Sequence, residues 1–237
     1  MLVLWPKGGI MNLMKWIVTY GCKLGLHLAY RIDDAEMAKI RARGPLIAFT
    51  NHRSLLEAPV IYTSLQPRPM VTALAKAEYW QRPFFAFVFN LWGIIPVQRG
   101  EADMEALRAS IDALKRGSIL GIAPEGTRTK TGAMQRAHGG IAVLALHSGA
   151  PLQPIAHWGS ETEGDKKRAF RPDFHIRVGR AFRLDAHGER ITKEIRQEMA
   201  DEIMYQLALI LPEALRGEYA DLDKASSKWL VFEDGGI

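Results

Sequence analysis

Leu46-Ile47-Ala48-Phe49-Thr50-Asn51-His52-Arg53-Ser54-Leu55-Leu56-Glu57 opens with an apolar run that stops at a histidine, with a carboxylate five positions further on. A short run of this kind, entered through Gly44-Pro45, reads as a strand covered on both faces. Open α/β sheets carry their chemistry where such strands end. There, a carboxylate bonded to one imidazole nitrogen fixes the tautomer and leaves the other nitrogen free to take a proton. His52 and Glu57 are therefore a candidate catalytic pair. Glu57 has a competing reading: with Ser54 as a helix N-cap it occupies the capping-box position and caps its own helix.

Outward from this stretch, strands and helices alternate. Residues 71–75 read as a strand ending at Lys76, the aromatic-rich residues 80–92 as a helix, and 93–97 as a third strand. Residues 103–116 form an amphipathic pattern with Met104, Leu107, Ile111 and Leu114 on one face, ended by Gly117. Residues 118–123 read as a strand, 141–148 as a helix, 152–157 and 174–178 as strands, and 192–211 as a long final helix. Residues 33–43 read as a short polar helix before Gly44-Pro45. This alternation predicts a single α/β domain over residues 33–237, a mixed sheet flanked by helices, preceded by an amphipathic helical segment within residues 1–32.

Three further stretches follow the His-x4-acid element in order: Gly93-Ile94-Ile95-Pro96-Val97-Gln98-Arg99, Ala123-Pro124-Glu125-Gly126-Thr127-Arg128, and Ala150-Pro151-Leu152-Gln153-Pro154-Ile155. Together the four resemble the motifs of the glycerolphosphate acyltransferase family, above all its bacterial 1-acylglycerol-3-phosphate acyltransferase branch. The resemblance runs from about Leu46 to Tyr219, and includes the ending Leu211-Pro212-Glu213 and Arg216-Gly217-Glu218-Tyr219. One position departs from the pattern: the family usually has Asp where this chain has Glu57.

The resemblance implies an acyltransferase that uses acyl-CoA or acyl carrier protein as co-substrate and a lysophospholipid as acceptor, with no bound cofactor. On this reading His52 is the general base and Glu57 orients it. The implied phosphate ligands are Arg99 and Arg128, with Glu125, Gly126 and Thr127 forming the turn that presents Arg128. Chemistry agrees, because a guanidinium fork suits a phosphate and a glycine allows a tight turn with exposed amides. Two arginines following strand ends are also common on ordinary surfaces. Lys76 is a third candidate cation, with a solvated strand-end lysine as its alternative. Glu125 reads as a brace for the arginines or the loop, without a proton-transfer role. The fourth motif is implied to help form the site, while its residues alone read as a strand edge between Pro151 and Pro154. An adapted pair, a weakened enzyme and a non-catalytic relative are all compatible with Glu57 in place of Asp.

The 237 residues are 48% hydrophobic and 24% charged, enough for one buried core, and the net charge of +5 favours anionic partners. The main basic cluster comprises Lys166-Lys167-Arg168, Arg171, Arg177, Arg180 and Arg183. No helix-turn-helix, zinc-finger or RNP pattern accompanies it, so nucleic acid is not the expected partner. Anionic headgroups or an acidic carrier fit better, with a solvated basic face as the default. The histidines lack metal-ligand spacing, so no metal is expected. The single cysteine, Cys22, excludes an internal disulfide and favours a reducing compartment.

In residues 10–31, Asn12, Lys15, Thr19, Lys23, His27 and Arg31 recur at helical spacing as one polar stripe beside a broad apolar face. Its lysines argue against a simple span. A basic stripe and a wide apolar face fit a helix lying in the membrane interface. A helix packed on the protein's own core is the competing reading. No small-residue cleavage site follows, so a signal peptide is not expected. The expected location is the cytoplasmic face of the inner or cell membrane, peripheral or monotopic.

Overall fold

The computed structural model describes residues 9–66, 70–98, 103–159 and 171–233. In chain order the elements are α1 (Gly9–Ala29), β1 (Arg31–Asp33), β2 (Leu46–Thr50), α2 (Glu57–Ser64), β3 (Val71–Lys76), α3 (Pro83–Trp92), β4 (Ile95–Val97), α4 (Met104–Lys115), β5 (Ile119–Ile122), α5 (Gly140–Ser148), β6 (Leu152–Trp158), β7 (Asp173–Val178), β8 (Phe182–Leu184), α6 (Lys193–Ala208) and β9 (Leu230–Phe232). The fold is α/β, with helices flanking one mixed sheet in the order β1-β7-β6-β2-β5-β3-β4. The block β6-β2-β5-β3-β4 is parallel throughout. β7 and β8 run antiparallel to β6, β9 is antiparallel to β8, and β1 is parallel to β7.

β2 sits at the centre, and all five of its residues are buried. Because side chains alternate along a strand, its run feeds two cores. Ile47 and Phe49 pack with α4, α5 and α6, while Leu46 and Ala48 pack with α2 and α3. Helix ends follow local chemistry: Asp103 accepts the Ala106 amide at 2.9 Å to start α4, and Thr192 caps α6 through the Ile195 amide.

Several local expectations need correction. Of residues 33–43 only Ala35–Lys39 are helical, as a 3-10 helix, because Asp33 belongs to β1, which pairs with β7. The expected boundary between residues 32 and 33 consequently falls inside β1. Residues 80–92 divide at Pro83, which starts α3 as its first residue, because proline has no amide to continue the preceding turn. The buried side of α4 is Ala106, Ser110, Ala113 and Leu114, and Met104 is 51% exposed. Leu107 and Ile111 are half-buried and pack against the same core, so of the expected face only Met104 turns outward. Pro154 lies in β6, an interior strand, and its carbonyl accepts the Gly179 amide at 3.0 Å. The short strands β8 and β9 carry no clear sequence pattern.

α1 packs on the body through its polar stripe. Thr19 accepts a 2.9 Å hydrogen bond from Trp92 Nε1, Lys15 is buried, and Lys23 and His27 both approach Asp34. Val18, Cys22 and Leu26 complete the contact with the α2/α3 core. Burial lowers the Lys15 ammonium pKa. The opposite face is bare: Ile10, Leu13, Ile17, Tyr20, Leu24 and Leu28 are exposed, as are Phe84 and Phe87 on α3. No helix among the described residues is long and apolar enough to cross a membrane.

Candidate active site

β2, β5 and β6 lie side by side and parallel, so the segments that leave their carboxyl ends meet at one edge. Asn51, the first residue past β2, ties two of these ends together. Its Nδ2 donates to the His157 carbonyl and its Oδ1 accepts the His157 amide, both at 3.0 Å. His52 follows with its backbone held on both sides. Its amide donates to Glu125 Oε1 at 2.8 Å, and its carbonyl accepts the Thr129 amide at 2.9 Å. In the side chain, His52 Nδ1 meets Glu57 Oε1. Nε2 is the nitrogen left for a substrate.

The two oxygens of Glu57 have different partners, His52 and the loop amides that precede α2. Oε1 serves His52, while Oε2 accepts the amides of Arg53 and Ser54 at 2.9 Å each. Ser54 is not the N-cap: α2 begins at Glu57 itself, and Ser54 Oγ accepts the Leu56 amide. The Glu57 side chain is 3% exposed, and Oε2 also lies 3.1 Å from His157 Nε2. Burial would raise this carboxyl, but hydrogen bonds from His157 and His52 overcome it and pull the pKa from 4.5 to about 2. The extra methylene of Glu relative to Asp thus carries the carboxylate to His52 while leaving one oxygen for other partners.

Glu125 braces the loop rather than the arginines. Its two oxygens accept the amides of His52 and Gln135, at 2.8 and 2.9 Å. Burial raises its pKa, and these amides oppose the shift. Gly126 turns with φ 69°, and a Cβ there would sit 3.0 Å from the His138 ring. Thr127 lies in the same turn and gives its carbonyl to Gln135 Nε2 at 3.1 Å. The segment that carries Gln135 and His138 is strapped from behind by the chain after α6. Met134 exchanges backbone bonds with Leu215 and Glu218, and Tyr219 Oη accepts the Ala137 amide and donates to Asp201. At Gly217 a Cβ would lie 2.1 Å from the Met134 carbonyl oxygen, so the strap requires glycine.

The expected cations divide. Arg128 is exposed in the loop after β5 and makes no ion pair with any described residue. Lys76 pairs with Glu78 at 2.6 Å. Arg99 lies outside the described residues, as do Lys166, Lys167 and Arg168. The remaining members of the expected basic cluster are individually engaged instead of forming a free face. Arg171 donates to the His27 carbonyl, Arg177 pairs with Asp33, Arg183 with Glu233, and Arg180 lies 4.9 Å over the Phe232 ring. Three residues at this edge had no functional reading in the sequence: Asn51, His138 and His157.

A cavity of about 660 Å³ opens beside His52. Its wall is largely apolar, with Ile61, Leu65, Val71, Leu74 and Ile122 among the lining residues, and Gly126 and His138 also border it. An imidazole with one nitrogen left free thus borders a largely apolar cavity, and the adjoining loop carries an arginine with no ion pair to any described residue.

Comparison with known proteins agrees with this geometry. The family model described as Acyltransferase matches residues 31–158. A 1-acyl-sn-glycerol-3-phosphate acyltransferase of Pseudomonas aeruginosa is 26% identical over 172 residues, covering 71% of this chain and 66% of that protein. A chloroplastic 1-acyl-sn-glycerol-3-phosphate acyltransferase of Brassica napus is 26% identical over 148 residues, covering 61% of this chain and 42% of the relative. A lyso-ornithine lipid O-acyltransferase of Pseudomonas aeruginosa is 31% identical over 115 residues, 48% of this chain and 43% of the relative. The chain thus matches less than two thirds of the length of each of these relatives. The crystal structure of a Thermotoga maritima 1-acyl-sn-glycerophosphate acyltransferase has the same fold, with a TM-score of 0.62 at 20% identity, covering 84% of this chain and 81% of that one.

Proposed function

The chain belongs to the acyltransferase family, and from that premise we propose that it moves a fatty acyl chain from acyl-CoA or acyl carrier protein to 1-acylglycerol-3-phosphate, giving phosphatidic acid. His52 Nε2 takes the proton of the acceptor's free hydroxyl as that oxygen attacks the thioester carbonyl. Glu57 holds the imidazolium that forms. When the tetrahedral intermediate collapses, the sulfur leaves and recovers the proton from His52 as a thiol. No enzyme nucleophile is needed. The observation that carries this reading is His52 held on Glu57 beside an apolar cavity.

Arg128, with Arg99, holds the acceptor phosphate. Lys76 is not assigned to that role because Glu78 already holds it. The exposed apolar face of α1 docks the protein on the cytoplasmic face of the membrane as a peripheral or monotopic enzyme, while its polar stripe stays on the body. Such a continuous bare apolar surface is costly in water and is stabilised by burial. One specific observation favours a second acceptor: the 31% identity to a lyso-ornithine lipid O-acyltransferase, which would make the acceptor a lyso-ornithine lipid.

The test is transfer of labelled acyl groups from both donors to lysophosphatidic acid and to lyso-ornithine lipid in liposomes, comparing wild type with His52→Ala. Transfer to lysophosphatidic acid that disappears in the variant supports the proposal. Transfer to lyso-ornithine lipid alone replaces it with the second reading. No transfer from either donor to either acceptor, in folded vesicle-bound protein, refutes both.

A further inference from the structure

The carboxylate of Glu57 lies between two histidines. His52 reaches one oxygen from the loop after β2, and His157, near the end of β6, reaches the other at 3.1 Å. His157 is fully buried, with its ring stacked on Phe174 at a centroid distance of 5.3 Å and an interplanar angle of 6°. Stacking fixes the ring plane, and the Asn51 side chain fixes the backbone that carries it.

The tautomer follows from the partners. His157 Nε2 stands 2.8 Å from the Asn51 carbonyl oxygen, which can only accept. Nε2 therefore carries a proton, and Glu57 Oε2 lies 3.1 Å from the same nitrogen. Nδ1 is buried with no hydrogen-bond partner among the described residues. A second proton there would be an unsatisfied buried donor, so the ring is neutral and donates through Nε2 alone.

We infer that His157 is a positioning residue of the active site: its Nε2–H clamps one oxygen of Glu57 so that the other is held against His52. This explains how Glu works at a position where a shorter acid would be pulled back by roughly one C–C bond, about 1.5 Å. An aspartate at residue 57 could not span both rings. The inference deepens the acyl-transfer reading and rests on it only for its activity readout.

The test compares wild type, His157→Gln, His157→Leu, Glu57→Asp and the double variant Glu57→Asp/His157→Leu. A glutamine amide can replace the Nε2 donor, and leucine cannot. His157→Leu is expected to lower kcat by about 10- to 100-fold, the scale of an angstrom misplacement, with acceptor KM changed less than about twofold. His157→Gln is expected to retain kcat within about threefold. Glu57→Asp should match the loss in His157→Leu, and combining the two should cost little more, because each removes the same clamp. Equal losses in Gln and Leu, an unaffected Leu variant, or losses that multiply in the double variant would overturn the inference.

Should the leucine variant fail to fold, His157→Gln and Glu57→Asp still read the clamp, and wild-type protein labelled with 15N-histidine tests the tautomer it requires. A neutral Nε2–H tautomer at His157 is expected, and an Nδ1–H tautomer overturns the assignment. That spectrum needs no turnover. An inactive wild type therefore refutes the proposed function, while the tautomer judges His157 separately.

Discussion

The catalytic edge and the outer face of α1 depart from the usual apolar-in, polar-out arrangement in opposite directions. At the edge, Asn51, Glu57, Glu125 and His157 are buried, and each is hydrogen bonded. On α1, leucines and isoleucines face outward while Lys15 and Thr19 face in. The first region ties most of its polar groups together internally, which holds it in place. The second leaves apolar surface uncovered, and under the proposed function it is the docking face. On that reading one molecule separates chemistry from attachment.

The sharpest attempt to break this separation is His52→Ala. Turnover should fall by about 10³-fold or more, the upper range for loss of a general base, while vesicle binding in a flotation assay stays at the wild-type level. A parallel loss of binding would mean that the two regions are one. The converse variant is Ile17→Glu with Leu24→Glu on the bare face of α1. Each side chain buried in an interface contributes about 1.5–3 kcal/mol, so vesicle affinity should drop by roughly 100-fold or more. Thermal stability should remain unchanged, since neither side chain packs on the body.

A smaller effect tests the internal satisfaction of the edge. The Glu57 pKa is depressed in the folded state, so its contribution to stability is complete above about pH 4.5 and is lost as pH falls toward about 2. Urea midpoints measured across that window should decline in wild type. In Glu57→Gln the protein should be weaker at neutral pH by on the order of 2 kcal/mol and should lose this part of the acid dependence. The smallest change is expected for Lys76→Ala. Its exposed pair with Glu78 contributes little, and turnover should shift by less than about twofold. A larger loss would return Lys76 to the site.

Much of the edge was legible in the chain. An apolar run ending at His52 marks a buried strand, whereas its place at the centre of the sheet comes only from the pairing of β2 with β5 and β6. Glu57 was ambiguous because capping and orienting both use a carboxylate near a helix start; the structure gives one oxygen to His52 and the other to the Arg53 and Ser54 amides in the loop before α2, without a capping box. His157 escaped because its partner is more than 100 positions away along the chain, and only the pairing of β6 with β2 brings the two strand ends together. The available signal was a second strand that also ends in histidine. On α1 the periodicity marked two faces correctly but could not say which one meets the body; Trp92 and Asp34 settle that by receiving the polar stripe. On α4 the apolar pattern found Leu107, Ile111 and Leu114, which pack on the core, but missed that Ala106, Ser110 and Ala113 share the buried side and that Met104 lies outside it.

The strap made by Leu215, Gly217, Glu218 and Tyr219 has a consequence in time. A ribosome releases His52 and Glu57 early and these four residues late. A nascent chain can already hold its base and its acid, yet Met134 and Ala137 still lack the partners that steady the loop bearing Gln135. Through Gln135 and Glu125, the backbone of His52 waits on the same event. Completion of the site is thereby coupled to synthesis of residues 215–219, and a chain interrupted before them leaves the ribosome with His52 and Glu57 present but unbraced.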